Sequence, residues 1–194
     1  MIPKKAIFSL FILMVLVQLF VPANMIWNNE DVLRTGKEFK FKTAPIDPND
    51  PFRGKYIFLS FDNITVEIPK EHDWKRGEAI YVSIKEDNNG FAIIDSVSRK
   101  EPQQTQDFVK AEVGFINSYQ VDKVTMNIRY PFERFYMEES KAYDAEITYR
   151  ETRRDTTKTA YALVNVKEGD AVLKDVLIDG VPIAELVNTK LETQ

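Results

Sequence analysis

The hydrophobic pattern splits the chain in two. From Ala6 the residues are apolar to about Val21, interrupted only by Ser9 and Gln18, and the run reaches Trp27 across Asn24. A helix rises ~1.5 Å per residue, so the longer version spans a hydrocarbon core of ~30 Å. From Gly36 onward the period changes to two, the signature of half-buried strands. "KEFKFK" alternates charge with Phe39 and Phe41, and "NITVEIP" alternates Ile64, Val66 and Ile68. "EAIYVSI" and "GFAIIDSV" flank "KEDNNG", where Asn89-Gly90 marks a hairpin. "DFVKAEVGFI", "KVTMNIRY" and "TAYALVNV" add strands, and "AVLKDVLIDGVPI" reads as a strand with a tight turn at Asp179-Gly180.

One stretch departs from the period of two. Residues 139–154 space Tyr143 and Ile147, and Ala142, Ala145 and Tyr149, as a helix does. Their acids come early and their arginines late, which suits the helix dipole. The same Thr, Ile and Tyr also fit a strand; the prediction is a helix. The expected fold is α+β: a mostly antiparallel β domain over 28–194 with one helix, preceded by a single transmembrane helix over 1–27.

The segment "PIDPNDPFRGKYIFLSF" joins three prolines to a strongly apolar strand. Pro45, Pro48 and Pro51 preclude regular structure, Asp47 and Asp50 are placed to cap the turn, and Gly54 allows a backbone conformation other residues resist. In the strand, Tyr56, Phe58 and Ser60 share one face and Ile57, Leu59 and Phe61 the other. Both faces are largely apolar, which predicts a central strand covered on both sides. Its structural reading is a rigid corner; its functional reading is a groove lined by Arg53 and the aspartates. "RGEAIYVSI" at Arg76 echoes "RGKYIFLSF" at Arg53, which suggests paired hairpin entries or chance.

Composition narrows the chemistry. The 194 residues suffice for one globular domain with a proper core. Cysteine is absent, which excludes disulfides, thiolate catalysis, cysteine zinc sites and lipidation at cysteine. The single histidine, His72, sits among charges in "KEHDWK" and reads as a surface residue. Lys4 and Lys5 precede the apolar run, and Asn28, Asn29, Glu30 and Asp31 follow it. The positive-inside rule then keeps the N-terminus in the cytoplasm and exports the rest, with Trp27 as an interfacial anchor. Val21-Pro22-Ala23 would also suit a cleaved signal peptide, but the run is longer than an h-region needs, which favours a retained anchor. Beyond Trp27 stand all 30 acidic residues but 24 of the 26 basic ones, a net charge of −6. That balance argues against nucleic acid as a partner.

The proline-rich segment and the strand after it resemble the GDYXXLXY proteins, which carry Gly-Asp-Tyr-x-x-Leu-x-Tyr after an Asp-Pro-x-Asp-x-x-Arg-Gly lead-in. Asp47, Pro48, Asp50, Phe52, Arg53, Gly54, Tyr56 and Leu59 match. Lys55 stands where the family has aspartate and Phe61 where it has tyrosine. "RFYMEESK" is similar to the family's aromatic-aromatic-x-Pro-Glu-Gly segment: Glu139 matches, while Glu138 replaces proline and Ser140 replaces glycine. "ALVNVKEGDAVLKDVLIDG" is similar to its closing segment. The resemblance implies a membrane-anchored bacterial protein of unsettled function that accompanies multi-pass membrane proteins. With Lys55 in place of aspartate, any role resting on that charge, such as metal binding, loses its footing.

The remaining candidates each have a plainer explanation beside the functional one. Adjacent Glu138 and Glu139 could divide their pKa values as an acid pair, or simply satisfy a helix start. "DPNDP" lacks the spacing and closing glutamate of a calcium loop. Arg150, Arg153 and Arg154 could meet lipid headgroups or end a solvated helix. The expected function is therefore an extracytoplasmic interaction or structural module with no cofactor, held at the cytoplasmic membrane and acting with another membrane or envelope protein. Its motif residues are Asp47, Asp50, Arg53, Gly54, Tyr56, Leu59 and Glu139. The alternative is an exported hydrolase like the signal peptidases, which use a serine activated by lysine. The first serine after the anchor is Ser60, inside the predicted strand.

Overall fold

The computed structural model describes residues 4–43, 56–103, 105–120, 123–136, 147 and 159–192. Helix α1 (Lys4–Thr35) leads into eleven strands among the described residues. These are β1 (Lys37–Lys42), β2 (Tyr56–Phe58), β3 (Thr65–Ile68), β4 (Ala79–Glu86), β5 (Ala92–Ser98), β6 (Phe108–Gln120), β7 (Lys123–Arg129), β8 (Arg134–Tyr136), β9 (Ala160–Lys167), β10 (Asp170–Ile178) and β11 (Val181–Pro182), followed by helix α2 (Ile183–Glu192). The domain is mostly antiparallel β, as the alternation predicts.

Two larger sheets share one core. One has the order β1-β9-β10-β11, the other β3-β7-β6-β4-β5, and β2 and β8 form a separate two-stranded ribbon. Alternation sets which side chains turn inward. Phe39 and Phe41 of β1, Ala162, Val164 and Val166 of β9, Ile80 and Val82 of β4, Val109 and Val113 of β6, and Met126 and Ile128 of β7 fill one buried cluster. The sheets also touch through their backbones. Lys40 bridges Phe91 in parallel, Val109 bridges Gly169, and the Lys110 N–H donates to the Gly169 carbonyl at 2.8 Å.

The turns follow from composition. At the β4–β5 hairpin one carboxylate oxygen of Asp87 accepts the N–H groups of Asn89 and Phe91, each at 2.8 Å, while Gly90 takes φ 78°. The Phe91 N–H foremost among these donors holds the Asp87 carboxyl below its ordinary range. Asp179-Gly180, with φ 50° and 85°, has both central residues left-handed, as a type I′ hairpin turn requires. Glu168-Gly169 repeats that geometry between β9 and β10.

Three expectations change. The strand of the proline-rich segment is not central: β2 has three residues and pairs with β8 alone. Its Leu59 and Phe61 face does turn into the core, but Phe58 on the other face is 40% exposed. The echo at Arg53 and Arg76 does not mark paired hairpins, since β2 and β4 lie in different sheets. α1 does not end at Trp27 but continues to Thr35, because its last turns dock on β9 and β10. α2 is an addition: Ile183 and Val187 are fully buried and Leu186 packs against the core, a helical i, i+3, i+4 spacing. The helix predicted over 139–154 lies outside the described residues, Ile147 apart, which is helical.

Candidate functional site

The two segments that carry the motif are backbone neighbours. β2 and β8 pair antiparallel, Tyr56 with Tyr136, Ile57 with Phe135 and Phe58 with Arg134. The Leu59 N–H continues the ladder to the Glu133 carbonyl at 2.7 Å. Both segments then enter the core. Leu59 is fully buried, and Phe61 joins Phe41, Tyr130 and Phe132 in a four-ring cluster. Tyr130 and Phe132 stack at 5.0 Å and 16° across Pro131, while Phe41 meets Phe132 edge-on at 5.0 Å. Edge-to-face and stacked pairs of this kind add stability beyond the area they bury.

The outer surface of the ribbon differs from its base. Phe58 and Tyr136 are exposed, the latter by 64%. Glu133, half-buried at the start of β8, has its carboxyl pushed up by burial, against the pull of Arg129 and Arg134. Burial drives the Tyr130 hydroxyl well above the usual tyrosine range, so this phenol stays neutral.

Of the motif residues, Tyr56 sits in β2 and Leu59 anchors the ribbon to the core. Asp47, Asp50, Arg53, Gly54 and Glu139 lie outside the described residues, as do Glu138, Arg150, Arg153 and Arg154. Ser60 is half-buried between Leu59 and Phe61. His72 is half-buried, and its Nδ1 atom is buried with no hydrogen-bond partner. Arg99 lies close by in sequence space to none of these, yet packs 4.0 Å over Trp74 and bonds to Asp73 at 2.9 Å and to Glu78. Arg76 of the sequence echo covers Phe115 at 4.2 Å. Both arginines brace the fold through aromatic faces.

A second constellation went unseen in the sequence, at the base of α1. Val32 is buried, and Gly36 N–H donates to the Val32 carbonyl at 2.9 Å. The buried Asn165 side chain donates from Nδ2 to the carbonyls of Leu33 at 3.0 Å and Gly36 at 3.3 Å, which satisfies groups a helix end leaves open. Lys167 reaches Asp31 at 2.5 Å and Thr35 at 2.9 Å, and Asn28 donates to Asp170 at 3.2 Å. A Cβ on Gly36 would stand 2.5 Å from the Val32 carbonyl oxygen and 3.1 Å from that of Val166. Asn165 could have drawn notice as the polar residue that interrupts "ALVNV".

The GDYXXLXY protein family matches residues 18–176, most of the chain, and the chain belongs to that family. No curated protein and no solved structure matches it.

Proposed function

We propose that the chain is a membrane-tethered interaction module that stands on the outer face of the cytoplasmic membrane and presents its β2–β8 ribbon to another membrane or envelope protein. The observation that carries this reading is the continuity of α1. It is the one helix among the described residues long and apolar enough to cross a membrane, and it runs without a break into a last turn bonded to β9. Large apolar side chains from Phe8 to Trp27 stand uncovered, as lipid contact requires, and the polar bonds to the β domain begin at Asn28.

Chain geometry supports the direction in which the ribbon faces. Going down α1 from Gly36 to Asn28, the contacts pass from Asn165 to Lys167 to Asp170, so the helix leaves the domain beside the β9–β10 turn. β1 runs the other way, and six extended residues carry the chain about 20 Å. At its end Thr43 bridges Phe61 antiparallel, and β2 continues beyond that point. The ribbon is therefore the end of the domain remote from the bilayer, open to a protein partner and out of reach of headgroups.

Photo-crosslinkers replacing Phe58 or Tyr136 in intact membranes are expected to capture a protein, and one at Trp27 to capture lipid. Protein adducts absent from both ribbon positions would overturn the reading. Protease added to spheroplasts should digest the domain while cytoplasmic controls survive. A chain that begins at Asn24 and washes off the membrane would instead make α1 a cleaved signal. Arg53 and Glu139 both match family positions without being obvious core residues, and they are expected to form an ion pair. A partly buried pair would cost up to ~3–5 kcal/mol on loss of either member; a double-mutant cycle on Arg53→Ala and Glu139→Ala should show coupling, and additive effects would remove the pair from the proposal.

A further inference from the structure

Within α1 the polar chemistry concentrates at one point. Gln18 interrupts the apolar run about 14 Å from its Trp27 end, near the middle of a bilayer. Pro22 follows four residues later inside the helix. Proline has no N–H, so it cannot donate to the carbonyl of residue i−4, which is that of Gln18. Residue 18 therefore carries a side-chain amide and an orphaned backbone carbonyl at the same depth. Of the other polar interruptions, Ser9 is satisfied, its hydroxyl donating to the Lys5 carbonyl at 3.0 Å, and Asn24 lies only about 4.5 Å from the Trp27 end, at interfacial depth. The Gln18 side chain stands exposed on the helix, and among the described residues its amide meets no partner.

In hydrocarbon such groups have no water to turn to, and they are met by neighbouring helices. We propose that α1 pairs in the membrane with α1 of a second copy of this chain through the face centred on Gln18. This rests on the reading of α1 as a retained anchor. A second copy is favoured by two features. A primary amide is both donor and acceptor, so two Gln18 side chains complement one another and leave an N–H for each orphaned carbonyl. Each domain is also bonded to its own helix down to Asn28, which seats both copies at one height and brings both Gln18 residues to one depth without further adjustment. Helical spacing puts Phe11, Met14 and Met25 on the Gln18 face and Leu16, Phe20 and Trp27 on the opposite one.

The sequence has no cysteine, so single cysteines report without background. The full chain carrying Met14→Cys or Met25→Cys, oxidised in native membranes with a membrane-permeant oxidant, should give a disulfide-linked dimer. Leu16→Cys and Phe20→Cys should not. Adding Gln18→Leu to Met14→Cys should cut the dimer fraction roughly three-fold or more, while the chain stays in the carbonate-washed pellet. Dimers from both faces alike, a dimer unmoved by Gln18→Leu, or an adduct with a different protein at Met14 would each overturn the pairing. If the chain leaves the carbonate pellet, the anchor reading fails and the pairing with it; a chain retained in the pellet without the face pattern defeats the pairing alone.

Discussion

The base of α1 and the β2–β8 ribbon hold the two ends of the domain by different means. At the base, polar groups do the fixing: Asn165 closes the helix end, Lys167 ties Asp31 and Thr35, and Gly36 brings two backbones into contact. At the ribbon a ladder of three residue pairs rests on a cluster of aromatic rings, with Phe58 and Tyr136 left in solvent. The base defines one orientation because hydrogen bonds and close backbone contact are directional. The ribbon is secured from beneath, and Phe58 and Tyr136 on its outer surface are exposed. Stiffness lies where the chain leaves its helix, and accessible apolar surface lies where the family motif is.

The largest expected effect is at the ribbon's foundation. Phe132 touches Phe41, Phe61 and Tyr130, and Phe132→Ala would remove the ring at the centre of the cluster. Loss of a buried phenylalanine costs about 3–5 kcal/mol, so thermal melting of the detergent-solubilised chain should fall by many degrees. A change below about 1 kcal/mol would mean that the rings do not support the ribbon.

The base should respond next. Gly36→Ala puts a Cβ against the carbonyl oxygens of Val32 and Val166, and backbone atoms cannot swing aside as a side-chain tip would. A loss of about 2–3 kcal/mol is expected, together with a new protease-sensitive site between Asn28 and Lys37 as the last turn loosens. If the variant melts like the parent and gains no cut site, the junction is softer than its bonds imply, and the contrast between the two ends disappears.

How much of this was legible in the sequence depends on the range of the interactions. Alternation in "KEFKFK" or "NITVEIP" reports burial directly, so β1 and β3 could be read locally. Asn89-Gly90 and Asp179-Gly180 specify their own turns, and Glu168-Gly169 carried the same signal within "KEGD" unnoticed. β2 misled because two apolar faces predict a central strand, whereas here one face is the exposed surface of a ribbon. Nothing local could place β8 beside it: each strand has three residues, and the pairing joins distant parts of the chain. The apolar run ends at Trp27, and the pattern by itself gives no sign that the polar residues Asn28 to Asp31 continue the helix. Their helicity is supported by partners on β9 and β10, which no local pattern shows.

The smallest effect separates burial from charge at the start of β8. Burial raises the Glu133 carboxyl, and the charges of Arg129 and Arg134 work against it. A carboxyl raised on folding favours its protonated form. Its contribution to stability is complete below the unfolded value of about 4.3 and is lost as pH rises through the folded value. At pH 7 the ionised Glu133 therefore weakens the ribbon end, and Glu133→Gln, neutral at every pH, should melt at a higher temperature than the parent. Below about pH 4 the parent is protonated as well, and the two melting curves should converge. The base offers the control: Asn165 is uncharged, so Asn165→Ala should lower the melting temperature by a similar amount at both pH values. If Glu133→Gln is instead less stable at pH 7, the two arginines outweigh burial, and charge contributes to holding the ribbon end.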